Sequence, residues 1–206
     1  MRVLFSNPPW WTDSGQANDV NGRLVQVFGA GVRAGSRWPF TQYIANPPDQ
    51  FGFGSYLPYP FFMGYATTYA ARATGAEVVF RDSIALRESY AAYEAFLTAG
   101  QFDYIVIESA TPSWEHDSKV IQRINRLLPT CRIVVTGPIA SQGAQILRDL
   151  PIHACVRGEY EKGVVKVLTH LIHRVMTMGL RSGIATLQQR DPLCWFDRVS
   201  VLIWQA

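Results

Sequence analysis

Chemistry in this chain has few places to reside. Histidine occurs four times, at His116, His153, His170 and His173, and cysteine three times, at Cys131, Cys155 and Cys194. His170 and His173 are three apart on a predicted helix and so share a face. No carboxylate or cysteine near them has ligand spacing, which points to a solvated face rather than a metal site. His116 stands in Trp114-Glu-His-Asp117, directly after an apolar run. Two readings stay open there: Asp117 or Ser118 caps the next helix, or the group contacts a ligand. Glu108 closes the same run, and Glu159 and Glu161 open a later helix, where acidic residues suit the macrodipole.

Several familiar chemistries are excluded. There is no G-x-x-x-x-G-K-[ST] and no G-x-S-x-G. Gly29-Ala-Gly31 followed by Gly35 is not G-x-G-x-x-G and follows no strong strand. The cysteines are sparse, odd in number and without a C-x-x-C pair, so a reducing, cytoplasmic setting with buried thiols is expected, Cys131 and Cys155 at strand positions in the core. A net charge of +3 over 206 residues argues for neither nucleic acid nor a lipid surface. The chain shows neither a signal peptide nor an apolar stretch long enough for a membrane span.

The remaining candidates are strand exits. Tyr104-Ile-Val-Ile-Glu-Ser109 runs into Ala110-Thr-Pro-Ser-Trp114, Arg132-Ile-Val-Val-Thr136 into Gly137-Pro-Ile-Ala-Ser141, and His153-Ala-Cys-Val-Arg157 into Gly158-Glu-Tyr-Glu161. In an open parallel sheet such loops gather at the carboxyl ends of the strands, where ligands bind. Small residues there let a large planar ligand approach the backbone. Thr111, Ser113, Thr136 and Ser141 can offer hydrogen bonds, or serve ordinary turns and caps; both readings are open.

The elements that would position these loops follow from periodicity. Arg2–Ser6, Glu77–Asp82, Tyr104–Ser109, Arg132–Thr136 and His153–Arg157 are predicted strands. Helices are predicted over Phe61–Thr74 (with Phe62, Tyr65, Ala66, Tyr69 and Ala73 on one face), Ser89–Ala99, Asp117–Leu128, Ser141–Leu150 and Tyr160–Met176. Alternation of strand and helix predicts an α/β, Rossmann-like (flavodoxin-like) doubly wound fold on a mostly parallel five-stranded sheet. Residues 10–60 form a long aromatic insertion without sustained periodicity, with Asn21–Val32 partly helical. Residues 1–178 make one domain. Residues 179–206 are read as an irregular tail or a hairpin formed by Leu193–Phe196 and Val199–Trp204.

Asn7-Pro-Pro-Trp10, Arg37-Trp-Pro39, Tyr56-Leu-Pro-Tyr-Pro-Phe-Phe-Met-Gly-Tyr65, Glu108-Ser-Ala-Thr-Pro-Ser113, Gly137-Pro138 and Arg157-Gly-Glu-Tyr-Glu161 occur together and in order. On these pieces, over about residues 1 to 165, the chain resembles the amino-terminal cobalamin-binding domain of cobalamin-dependent radical SAM enzymes. The resemblance implies cobalamin held against the strand exits, lined by Asn7, Pro8, Trp10, Thr111, Pro112, Ser113, Trp114, Gly137, Pro138, Ile139, Ser141, Gly158, Glu159 and Tyr160. The cobalt-ligating D-x-H-x-x-G of many corrinoid proteins is absent, since Asp82-Ser-Ile-Ala-Leu-Arg87 has no histidine, and the resemblance names no protein ligand to cobalt. The cluster motif C-x-x-x-C-x-x-C is absent as well, so no iron–sulfur cluster is expected in this chain. The expectation is a cobalamin-binding module, non-catalytic alone, with cobalamin as its partner and no nucleic acid or membrane; it is read as a stand-alone carrier, a subunit whose partner is a separate radical SAM protein, or a truncated gene product. The alternatives are a small α/β enzyme acting on a nucleotide or sugar through Glu108, His116 and Asp117, and a flavodoxin-like regulator that binds a nucleotide.

Overall fold

In the computed structural model, the described residues are 1–18, 24–30, 42–45, 59–86, 88–174, 183–189 and 199–205. The strands are β1 (Arg2–Asn7), β2 (Trp11–Asn18), β3 (Leu24–Ala30), β4 (Gln42–Ala45), β5 (Glu77–Asp82), β6 (Tyr104–Glu108), β7 (Arg132–Thr136), β8 (Ala154–Arg157), β9 (Gly183–Gln189) and β10 (Val199–Gln205). The helices are α1 (Phe61–Thr74), α2 (Tyr90–Gly100), α3 (Trp114–Leu127), α4 (Gly143–Asp149) and α5 (Tyr160–Arg174).

Five strands pair in parallel in the order β5-β1-β6-β7-β8. Renumbered among themselves they run 2-1-3-4-5, the flavodoxin-like order, which reverses between β1 and β6. The expected doubly wound α/β sheet is therefore present. Both faces are covered, as an all-parallel sheet requires. Period-two alternation sends Val3, Phe5, Tyr104, Val106, Val134, Ala154 and Val156 to one face, where α1 and α5 pack. Leu4, Ile105, Ile107, Ile133, Val135 and Cys155 go to the other, under α2, α3 and α4.

Several local expectations are corrected. The buried face of α1 is Met63, Ala66 and Ala70, whereas Phe62, Tyr65 and Tyr69 are exposed. Two stripes of this helix satisfy the 3.6-residue period, and the one with small residues lies against the sheet and α5, where close approach favours small side chains. Leu24–Ala30, inside the stretch expected to be partly helical, is a strand. Its β-branched Val25 and Val27 alternate with Leu24, Gln26 and Phe28, a period-two pattern that outweighs helical spacing. It is the centre of a three-stranded antiparallel sheet, β2-β3-β4, within the region expected to lack regular structure. Helix α3 begins at Trp114 rather than Asp117, after a short 3₁₀ turn at Thr111–Ser113. Of the tail, β10 pairs antiparallel with both β8 and β9, so among the described residues the main sheet has seven strands. Residues 193–196 lie outside the described residues. No helix among the described residues is long and apolar enough to cross a membrane.

Candidate functional site at the strand exits

The registers bring the carboxyl ends of the parallel strands to one rim. Asn7 is paired with Asp82, Glu108 with Thr136, and Thr136 with Val156. Further hydrogen bonds, from side chains and backbone, tie neighbouring exits together. Asn7 Nδ2 donates to Asp82 Oδ1 at 2.9 Å, joining β1 to β5. The Ser109 N–H donates to Thr136 O at 3.0 Å and the Ile139 N–H to Ser109 O at 3.3 Å, joining the loops after β6 and β7. The Tyr160 hydroxyl donates to Glu108 Oε2 at 2.7 Å, joining the start of α5 to the end of β6. Burial raises the Tyr160 phenol well above its usual value, and the adjacent Glu108 carboxylate adds to the rise.

At the switch point the geometry is most developed. Trp10, just past β1, stacks on His116 with ring centroids 4.9 Å apart and planes 13° apart. His116 lies in the first turn of α3. Its Nδ1 is 3.1 Å from Asp117 Oδ1, and its Nε2 is 3.0 Å from the Tyr90 hydroxyl at the start of α2. Ser109, fully buried, donates to Asp117 Oδ2 at 2.5 Å. A chain of hydrogen bonds thus runs Tyr90–His116–Asp117–Ser109. A carboxylate oxygen accepts, so the His116 Nδ1–H donates to Asp117. Asp117 is not a cap: its side chain is buried and committed to Ser109 and His116. A lone histidine before a helix reads as a cap neighbour in sequence; the signal that marked it was the aromatic pair Trp10 and Tyr90, which no spacing rule connects.

A second buried network lies beside it. Arg81 pairs with Glu88 through two nitrogens and stacks over Phe96 at 3.7 Å. Burial raises the Glu88 carboxyl, but the hydrogen bonds from Arg81 and Ser83 outweigh it and hold the group below its ordinary value. The Ser6 hydroxyl and the buried Tyr93 hydroxyl are 2.7 Å apart.

The residues expected to line a cofactor divide into two sets. Trp10, Thr111, Pro112, Pro138, Ser141, Gly158 and Glu159 are exposed or half-buried on the rim. Of the others, Trp114 and Gly137 are half-buried and the rest are buried. Asn7 and Pro8 are buried. Ser113 is buried and bonded to the Ala110 backbone. Trp114 packs partly against the core and Ile139 is wholly within it. Tyr160 is buried on Glu108. At Gly137, φ 86°, a Cβ would lie 2.6 Å from Ser109 O and 2.9 Å from Glu108 Cγ. Its lack of a side chain permits the close approach of the Ser109 backbone. Ser141 Oγ donates to Pro138 O at 2.9 Å, a turn contact.

Cys131 and Cys155 are buried in the core, and burial pushes both thiols up to about 12. Cys194 and the side chains of His170 and His173 lie outside the described residues, as do Arg37–Pro39 and Tyr56–Pro58 of the resemblance. Among the described residues no group of three or more His, Cys, Asp or Glu side chains is arranged to hold a metal ion. In comparisons with known proteins, no family model, no curated protein and no solved structure matched the chain.

Proposed function

We propose that the chain is a cobalamin-binding module, non-catalytic alone, that presents the cofactor to a separate radical SAM protein. The observation that carries this reading is the switch point between β1 and β6. There the exits Asn7–Trp10 and Thr111–Trp114 stand on either side of the reversal in strand order, where open α/β sheets bind ligands. The residue patterns at those exits supply the resemblance to cobalamin domains. His116, hydrogen-bonded to Asp117 and Tyr90, brings an imidazole to the same crevice. When bound, cobalamin supplies the cobalt chemistry, relaying a methyl group or assisting radical steps. The chain's own residues bind and orient the corrin and shield one side of it from water.

The Trp10–His116 stack favours a second reading, a flavodoxin-like domain or small enzyme holding a planar base against Trp10. One experiment separates the two. Purified protein is incubated with hydroxocobalamin and desalted. Retention of a corrin absorption band near one equivalent per chain is expected. A colourless protein that instead retains flavin or nucleotide overturns the cobalamin reading.

A further inference from the structure

Helix α1 carries its largest side chains on the side that the fold leaves bare. Phe61, Phe62, Tyr65 and Tyr69 are 60%, 46%, 64% and 42% exposed, and Tyr59, just before the helix, is 50% exposed. Single exposed apolar side chains are ordinary on a protein surface, but a cluster of aromatics marks an interaction site. The cluster is ordered. The Tyr59 ring meets Phe61 edge-on at 5.2 Å and Phe80 at 5.7 Å. It lies so close to α1 that a Cβ on Gly64 would stand 2.8 Å from it. At 3.6 residues per turn, Phe62, Tyr65, Tyr69 and Arg72 fall within an arc of about 80°. Their spacing of three, four and three is that of a seam between two helices. Arg72 is the only charged residue of α1.

This stripe is complementary to itself. Turned end for end about a two-fold axis, it sets Tyr65 against Tyr69 of the other copy and Phe62 against Arg72 of the other copy. Aromatic rings then meet at the centre, and a guanidinium covers an aromatic face at each end. The two arginines stay about 15 Å apart along the helices, so like charges do not meet. A parallel arrangement would instead set Arg72 against Arg72. At about 200 Å² per aromatic side chain, the exposed fractions amount to about 500 Å² per copy. Two copies together would bury about 1,000 Å², the size at which specific interfaces begin.

We infer that this chain forms a homodimer through an antiparallel, two-fold contact between α1 helices. The contact uses no residue of the strand-exit crevice, so it stands apart from whatever the crevice binds.

Sedimentation equilibrium of the full chain over a concentration series tests it. A reversible dimer is expected. Tyr65→Glu, which buries a charge at the centre, is expected to be monomeric with its far-ultraviolet spectrum unchanged, because Tyr65 is exposed. Arg72→Glu and Phe62→Lys are each expected to raise the dimer Kd about tenfold or more. Combined in one chain, they set Lys against Glu at both ends and are expected to associate more tightly than either single variant. An unaltered chain that stays monomeric up to about 100 µM overturns the inference, and this outcome does not depend on any variant folding. A dimer that survives Tyr65→Glu overturns it too, by assigning the contact to another surface. A double variant that associates no better than the single ones overturns the antiparallel pairing.

Discussion

Gly137 combines a strand-exit position with a backbone conformation that favours glycine. A glycine at a strand exit suggests room for a ligand. The structure also sets Gly137 at φ 86° with the Ser109 backbone where a Cβ would lie. A side chain there meets both a forbidden backbone region and a main-chain oxygen that cannot swing aside. Gly137→Ala is therefore expected to destabilise the fold by about 2–4 kcal/mol, through strain of about 1–3 kcal/mol plus the displaced contact. Urea denaturation measures this, and a loss under about 0.5 kcal/mol would show that the loops yield. Asp117 gives the converse lesson. Sequence offered a choice between cap and ligand contact, and the structure assigns it neither as a cap nor at a surface, but as the buried link between Ser109 and His116.

At the scale of elements, the five parallel strands and five helices were legible because their periods are strong and their ends carry clear stop signals. Gly75, in the left-handed conformation at φ 64°, closes α1 as expected. Ser89 caps α2 by accepting from the Ala92 N–H at 3.2 Å. Ser89→Ala is expected to cost about 1 kcal/mol, read from the thermal midpoint, with no change in the sheet. What was not legible had a common cause: competing patterns of similar strength. In α1 the bulky aromatic stripe drew attention from the small one that packs. In Leu24–Ala30 alternation competed with a helical reading. The Tyr90–His116 and Trp10–His116 contacts join residues separated by 26 and 106 positions, and no local rule brings those together.

For the whole molecule, acid is the condition that strains the fold. His153, beside the Tyr104 ring at the start of β8, has a buried Nε2 without a hydrogen-bond partner among the described residues. Burial, aided by the nearby Arg132 charge, pushes its pKa down to about 4. The unfolded chain takes up this proton near pH 6.5, whereas the folded one resists until about 4. The folded state therefore keeps this contribution above pH 6.5 and loses it progressively as pH falls toward 4, by up to about 3 kcal/mol. Urea midpoints measured from pH 7.5 to 4 are expected to fall along that window, and His153→Gln should flatten the decline. If the two profiles coincide, His153 is not the source.

The pairing of β8 with β10 has a consequence for how this array can grow. β10 runs against the direction of its neighbour and occupies the outer row of amides and carbonyls on the fifth parallel strand. Another strand–helix repeat laid alongside would find those groups already spoken for, so the parallel series is terminated on that flank by geometry.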